Sequence, residues 1–307
     1  MTPLPGGGVT AVVVTHDRPA LLDRCLQALA AQVRPPDAVV VVDNGSAPGT
    51  ARLLASRWPD VDVVRSERNT GAAGGFHLGV RRGVATGAAW LWLFNDDDRA
   101  VPHALERLLA TARADPSVGA AAGWFRLPGG EVVRHGARWA GRERPVHQVP
   151  GAETDVDLLC FSGTLLRSAA VTEAGLPRAG YFMMFEEYEY CLRLRDRGWT
   201  LRVVGSPLVE VSHAGSSGGQ SPPWRGYYQT RNQLAFALSR RSPRTVAWWL
   251  VRQAAFATAV LRGGDRRAER LRLRTLGAWH AVRGVDGMTV NPSGPDGGAL
   301  TRRPDAS

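Results

Sequence analysis

The chain contains no lysine. All 38 basic residues among its 307 are arginine, set against 28 acids, for a formal net charge of +10. Such a uniform choice of base is attributed to GC-rich coding rather than to selection at each position, so function is not read from it. Cysteine is scarce: Cys25, Cys160 and Cys191 lie far apart without a CxxC pair, which argues against a zinc module and a disulfide-rich secreted scaffold and leaves three buried thiols as the expectation. Long apolar runs are missing too. The most apolar later stretch, 245–261, is shorter than the ~20 residues a spanning helix needs and carries Arg252 and Gln253 at its centre, so no transmembrane segment is expected. The N-terminus has no basic region and its apolar run breaks after five residues, which does not read as a secretory signal; a cytoplasmic address is the expectation. Glycine (35) and proline (20) are plentiful but show no period, which excludes fibrous and wholly disordered classes. Neither GxGxxG nor GxxxxGK[ST] occurs at the glycine-rich segment 65–75, so dinucleotide and ATP sites fail on their own motifs.

What is present is alternation. Val9 to Val14 (VTAVVV) reads as a strand, followed by the polar break Thr15 to Pro19 and an apolar pattern of helical period over 20–32. The pattern repeats as a strand over 38–42, a helix over 50–57, a strand over 61–65 and a helix over 74–86. The run Trp90 to Asn95 (WLWLFN) then reads as a central buried strand that stops at Asp96-Asp97-Asp98. Short all-apolar strands alternating with helices specify a doubly wound, mostly parallel α/β sheet flanked by helices. Ligands of such sheets bind beyond the carboxyl ends of the strands, where these polar breaks lie. A helix over 103–114 closes this half. The stretch 119–157 mixes short strands with Gly/Pro turns, 157–167 reads as a strand entering a turn at Ser162-Gly163, and 181–197 as a loop entering a helix. Short strands over 201–204 and 209–211 lead to His213, and from Trp224 to Val285 the pattern is helical, Arg-rich and aromatic. Residues 225–307 hold 15 arginines against five acids, so the surplus charge sits at this end, a sign asymmetry suited to an anionic surface or to a solvated tail.

Three clusters carry chemistry. Adjacent carboxylates at Asp96, Asp97 and Asp98 repel one another unless a cation joins them, and a hard divalent ion such as Mg²⁺ or Mn²⁺ is the natural partner; a solvated helix cap is the plainer reading. Glu186, Glu187 and Glu189 stand beside Phe182, Met183, Met184 and Phe185, where desolvation raises proton affinity and suits a carboxylate to general-base work, although acids also favour a first helical turn. His213, before a Gly/Ser loop, would complete a mixed oxygen and nitrogen metal shell, if it is not simply structural. The glycines of 71–75 would let backbone N–H groups meet phosphate, or let a helix pack closely on a strand.

Taken together, the motifs Thr15-His16-Asp17-Arg18, Val42 to Ser46 (VDNGS), Asn69 to Phe76 (NTGAAGGF), Phe94 to Asp98 (FNDDD), Phe185 to Glu189 (FEEYE) and Tyr227 to Asn232 (YYQTRN) resemble those of the family 2 inverting glycosyltransferases of the GT-A fold, in the rhamnosyl- and galactofuranosyltransferase branch. The resemblance runs from Val9 to about Asn232. It implies a nucleotide-sugar site at Thr15, His16, Arg18, Asp43, Asn69, Gly71, Gly74 and Asp97, with Thr15 and Asp43 at the nucleobase and ribose. It implies Mn²⁺ or Mg²⁺ on Asp96, Asp98 and His213, and acceptor contacts at Trp124, Ser162, Gly163 and Glu189. Glu187 would be the catalytic base, with Glu186 the adjacent alternative, because this sequence has a Glu-Glu pair where the family's base is often the Asp of a Glu-Asp pair.

The organisation expected is a GT-A domain over 1–239, split into a nucleotide-sugar-binding half (9–115) and an acceptor-binding half (116–239), then a helical basic extension over 240–285 and a disordered tail over 286–307. The partners implied are a UDP- or dTDP-sugar donor and a saccharide or polyprenyl-linked acceptor of cell-wall or polysaccharide synthesis. Peripheral contact of the basic end with the inner face of the plasma membrane is also implied, and no nucleic acid. A sugar nucleotidylyltransferase would want a glycine-rich loop after the first strand, where Thr15 to Pro19 stands instead; the other alternative is a non-enzymatic membrane or nucleic-acid tether.

Overall fold

Each apolar run of the first half becomes a strand and each amphipathic stretch a helix. The computed structural model describes residues 7–211, 222–263 and 266–292. In chain order the elements are β1 (Val9–Thr15), α1 (Pro19–Ala30), β2 (Ala38–Asn44), α2 (Pro48–Arg57), β3 (Asp62–Ser66), α3 (Gly71–Ala85) and β4 (Trp90–Asn95). There follow β5 (Arg99–Ala100), α4 (Ala104–Ala114), β6 (Val118–Arg126), β7 (Val132–Val133), β8 (Ala137–Trp139), β9 (Glu143–Pro145), β10 (Glu153–Val156), β11 (Thr164–Arg167), α5 (Ser168–Ala174), α6 (Glu186–Asp196) and β12 (Thr200–Glu210). The chain closes with α7 (Pro223–Ser239), α8 (Pro243–Gly263) and α9 (Arg267–Val282). It divides into two compact units: Met1–Trp139, Arg144–Ala179 and Glu187–Gly215 form the first, and Ala140–Glu143, Gly180–Glu186 and Ser216–Ser307 the second.

The first unit is built on one mixed, mostly parallel sheet in the order β10-β12-β6-β11-β4-β1-β2-β3, with β5 on β12 and β7 on β6. Its parallel half runs β3-β2-β1-β4, with Val12 opposite both Val40 and Leu93. All seven residues of β1 are buried, as a strand covered on both faces requires. One covering layer is α1, which starts with a proline in its first turn and buries Leu22, Leu26 and Leu29 along one face. The other is α3, and it explains the glycines. Gly75, Gly79 and Gly83 recur every fourth residue, and a Cβ on them would come within 2.4 Å of Val14, 2.4 Å of Val12 and 2.8 Å of Leu91 respectively. The helix therefore lies against the sheet at a distance no larger residue permits.

Two strands differ from the sequence pattern. Only Thr164–Arg167 of the stretch 157–167 enters the sheet; Gly163, at φ +68°, turns the chain, and Asp157 spends its carboxylate on the Trp139 N–H at 2.9 Å. The segments 201–204 and 209–210 belong to the single strand β12, which ends before residue 211 and whose register against β6 shifts on both sides of Pro207, where a ladder N–H is missing.

The second unit is helical. Leu273 of α9 and Val290 are fully buried with Phe182, Trp224, Tyr227 and Tyr228, and a smaller cluster joins Leu234, Trp249 and Ala281. Arginines cover aromatic faces here: Arg142 lies over Trp248 and Arg274 over Phe256, 3.3 Å from its ring centre. Among the described residues no helix is long and apolar enough to cross a membrane.

Candidate active site

Because β1 and β4 are parallel neighbours, their carboxyl ends bring residues 81 positions apart together: Thr15 Oγ1 donates to Asp96 Oδ2 at 2.7 Å. Arg18, immediately before α1, lies 3.2 Å from Asp96 Oδ1 and 3.5 Å from Asp97. At the end of β2, buried Asp43 accepts the Ser46 N–H at 3.0 Å and pairs with Arg65 of β3 at 2.9 Å. Its neighbour Asn44 is the hub of the next loop. Its Oδ1 accepts both the N–H and the hydroxyl of Thr70, its Nδ2 donates to the Gly71 carbonyl, and its own carbonyl lies 3.0 Å from His16 Nδ1. Asn69 caps the same turn, its Oδ1 accepting the Gly71 N–H at 2.8 Å. Thr15, His16, Arg18, Asp43, Asn69, Gly71, Asp96 and Asp97 thus gather at the ends of β1, β2 and β4. Gly74 lies one turn into α3, where a Cβ would meet the Thr70 side chain at 2.4 Å.

Asp98 is buried 2% exposed, with Oδ2 accepting the Asn95 N–H at 2.8 Å. The Ser162 hydroxyl bonds to the same carboxyl and accepts from Asn95 Nδ2 at 2.9 Å. One residue earlier, the Phe161 N–H donates to Glu187 Oε1 at 2.7 Å. The turn 161–163 therefore ties the acid cluster to Glu187, and Gly163 anchors it to the sheet by donating to the Leu93 carbonyl and accepting from Trp92 Nε1. Burial raises the proton affinity of all three acids: Asp98 to about 8 against the opposing Asn95 N–H, Asp96 to about 6 against Arg18 and Thr15, and Glu187 to about 7 against the Phe161 N–H. Beneath them Cys25 is pushed well above its usual value by burial and by the three aspartates.

The approach to Glu187 is strained. Phe182, Met184 and Phe185 have φ of +62°, +69° and +74°, a left-handed conformation that costs a non-glycine residue on the order of 1–3 kcal/mol and marks functional sites when surrounding structure enforces it.

The remaining candidates are placed as follows. Glu186 is buried at the start of α6. Glu189, also buried, is held by Arg178 at 3.2 Å and Arg193 at 2.9 Å. Trp124 lies buried on β6, its indole N–H given to Gln148 and its ring under Arg134. His213 falls outside the described residues, and among those described no three His, Cys, Asp or Glu side chains converge as a metal set. Asp96 and Asp98 nevertheless fit a divalent cation. Both carboxylates are desolvated, and Asp96 Oδ1 accepts no well-formed hydrogen bond, with the Arg18 guanidinium 3.2 Å away. Beside Asp97 a cleft is walled by Leu21, Arg24, Arg99, Arg126 and Glu210. The sequence pointed to the strand-end breaks that hold Asn44 and Arg65 but gave neither residue a role, and it gave no sign of the Phe161 N–H. A hub asparagine within VDNGS was visible as a polar break; its partners, 25 to 27 residues away, were not.

A sequence profile described as Glycosyl transferase family 2 matches residues 10–170, more than half of the chain. The chain belongs to glycosyltransferase family 2. Galactofuranosyltransferase GlfT1 of Mycobacterium tuberculosis is 35% identical over 201 residues, covering 62% of this chain and 65% of that protein, so the match spans slightly less than two thirds of the relative's length. N-acetylglucosaminyl-diphospho-decaprenol L-rhamnosyltransferase of the same organism is 27% identical over 271 residues, 78% of this chain and 85% of that one. Among solved structures, GalNAc-T7 with UDP, GalNAc and Mn²⁺ superposes with a TM-score of 0.65 at 14% identity, over 91% of this chain and 56% of that one. S. aureus TarS 1–349 in complex with UDP-GlcNAc gives 0.61 at 16% identity, over 91% and 81%. At these identities the two structures speak to the fold, and this family 2 chain shares it.

Proposed function

We propose that this family 2 protein is an inverting, metal-dependent glycosyltransferase that moves rhamnose, galactofuranose or a similar sugar from a UDP- or dTDP-sugar to a saccharide or polyprenyl-diphosphate-linked acceptor. The carrying observation is the turn 161–163, which joins the buried Asp98 to Glu187 through two consecutive residues. Thr15, His16, Asp43, Asn69, Gly71 and Gly74 would take the nucleoside half of the donor, with Arg18 and Asp97 near the diphosphate. Asp96 and Asp98, with His213, would hold Mn²⁺ or Mg²⁺, which when bound offsets the charge of the leaving nucleoside diphosphate. Glu187, ionised above about pH 7, accepts the proton of the acceptor hydroxyl. That oxygen bonds to the anomeric carbon as the carbon–oxygen bond to the diphosphate breaks on the opposite face, inverting the centre. Ser162, Gly163, Trp124 and Glu189 are assigned to the acceptor side, and Glu186 remains the alternative base.

The names of the relatives support the sugar classes and the lipid diphosphate. Exposed Leu250, Val251, Leu261, Trp279 and Val282, set among arginines, support contact of the C-terminal helices with an anionic membrane surface. The division at 239 and 285 is retained as part of the proposal, although Gly287 and Val290, within the expected tail, are packed into the second unit. A thermal-shift screen of UDP-, dTDP- and GDP-sugars with Mn²⁺, followed by transfer assays on N-acetylglucosaminyl-diphospho-decaprenol and its rhamnosylated form, tests the reading. Selective stabilisation by one donor and nucleoside diphosphate release only with acceptor are expected. Indifference to every donor would remove it.

A further inference from the structure

The motif Tyr227 to Asn232 carries no role in the site described above, yet it is among the most deeply buried polar stretches of the chain: Tyr227, Tyr228 and Asn232 are 0% exposed and Arg231 1%. A buried guanidinium normally meets a carboxylate. Among the described residues that of Arg231 meets none. It donates instead to the carbonyls of Gly180, Tyr181 and Gly287 at 3.3, 2.9 and 2.8 Å and lies over the rings of Tyr227 and Tyr228. Its Nε donates to Asn232 Oδ1 at 2.9 Å, which settles how the amide is turned. The Nδ2 group of Asn232 then faces the carbonyls of Tyr181, Met183 and Met184 at 2.9, 2.8 and 2.8 Å, two hydrogens shared among three acceptors. Tyr228, Arg231, Asn232 and Phe236 follow the i, i+3, i+4, i+8 spacing of one helical face, and the outer two hold the rings of Phe182 and Phe185 at 4.9 and 5.1 Å. Apart from Gly287, Thr289 and Val290, the groups this face grips belong to 180–185, the stretch with three left-handed non-glycine residues, and the chain continues from it directly into Glu186 and Glu187. Three carbonyls of this strained stretch thus converge on one side-chain amide.

We propose that Arg231 and Asn232 are positioning residues for the reaction: by holding the carbonyls of 180, 181, 183 and 184 they enforce the left-handed turn that sets where the Glu187 carboxylate begins. The inference rests on Glu187 as the base. Its test measures kcat per donor-binding molecule, with UDP and Mn²⁺ titrated by calorimetry to count competent sites, and the pH–rate profile, on Asn232→Ala, Arg231→Lys and Glu187→Gln, using the donor and acceptor found in the screen. Asn232→Ala is expected to lower kcat at least 30-fold with the Kd for UDP within threefold, and to move the acid limb of the profile by at least half a pH unit. Arg231→Lys, which keeps the charge but not the planar fork, is expected to lose at least tenfold. A kcat per competent site within threefold of the parent for Asn232→Ala, or a UDP Kd weakened in proportion to the lost turnover, overturns the proposal, since a merely structural residue lowers the number of sites and not their turnover. Should Asn232→Ala not fold, Asn232→Asp, of equal size but without the donor, takes its place under the same thresholds. An inactive Glu187→Gln beside a fully active Asn232→Ala defeats this inference alone; a fully active Glu187→Gln defeats the base assignment and this inference with it.

Discussion

The two units bury charge in opposite ways. In the first, Asp43 and Glu189 are matched by arginines, but the two buried carboxylates at the end of β4 are incompletely compensated: Asp96 Oδ1 accepts no well-formed hydrogen bond, and Asp98 is held by one backbone N–H and neutral side chains. In the second, the buried cation Arg231 is saturated by carbonyls and aromatic faces. Desolvated charge is costly unless matched. A buried group left short of partners is therefore built for something that arrives, whereas one with every donor occupied is built to hold the chain. The first arrangement suits a cation and a diphosphate, and the second a strained turn.

Asp98 carries the largest expected effect. Asp98→Asn keeps the shape and removes the charge, and turnover is expected to fall about 10³-fold or more, as when a transition-state charge loses its stabiliser. Mn²⁺ should raise the melting temperature of the parent and not of the variant; a variant that still responds to Mn²⁺ would place the ion elsewhere. Glu187→Gln is next, with kcat lower by roughly 10²–10⁴-fold and donor affinity within twofold by calorimetry. The pH dependence follows from the same residue. Burial lifts its proton affinity to about 7, so below that pH the base is protonated and kcat should drop about tenfold per unit, with a plateau above, read from the rate profile at saturating donor. An acid limb near the ordinary carboxylate range would mean a base exposed to solvent.

Packing differs between the units too, and two smaller effects sharpen that. Gly79→Ala would set a Cβ 2.4 Å from Val12 and is expected to cost about 1–3 kcal/mol in denaturant unfolding, with donor binding per folded molecule intact. Trp279, 53% exposed on α9, should change stability by less than about 0.5 kcal/mol when replaced by alanine. If that variant also binds anionic vesicles as the parent does, Trp279 has no part in membrane contact.

Local pattern made much of this legible. VTAVVV, AVVVV and WLWLFN are strands because β-branched and aromatic runs of that length pack only on a covered sheet, and the acids that end the last of them had to lie at its carboxyl edge. The glycines of 71–83 were ambiguous between ligand approach and helix packing. Only the 2.4 Å spacings to Val12 and Val14 decide for packing at Gly75 and Gly79. Likewise Glu187 was a candidate by its apolar neighbours, but its link to Asp98 through Phe161 and Ser162 depends on a turn whose residues stand 25 or more positions from either acid.

By itself the order of residues determined an alternating α/β chain, a cluster of acids at one strand end and a basic helical terminus, since these follow from periodicity and charge, which are local. Tertiary structure alone decided which buried carboxylates are incompletely compensated, that Asn44 and Arg65 organise the loops at the end of β2, and that a buried arginine and asparagine grip a left-handed turn. Compensation of charge and of backbone strain is a property of neighbours in space, and a chain folded into parallel strands takes those neighbours from distant positions.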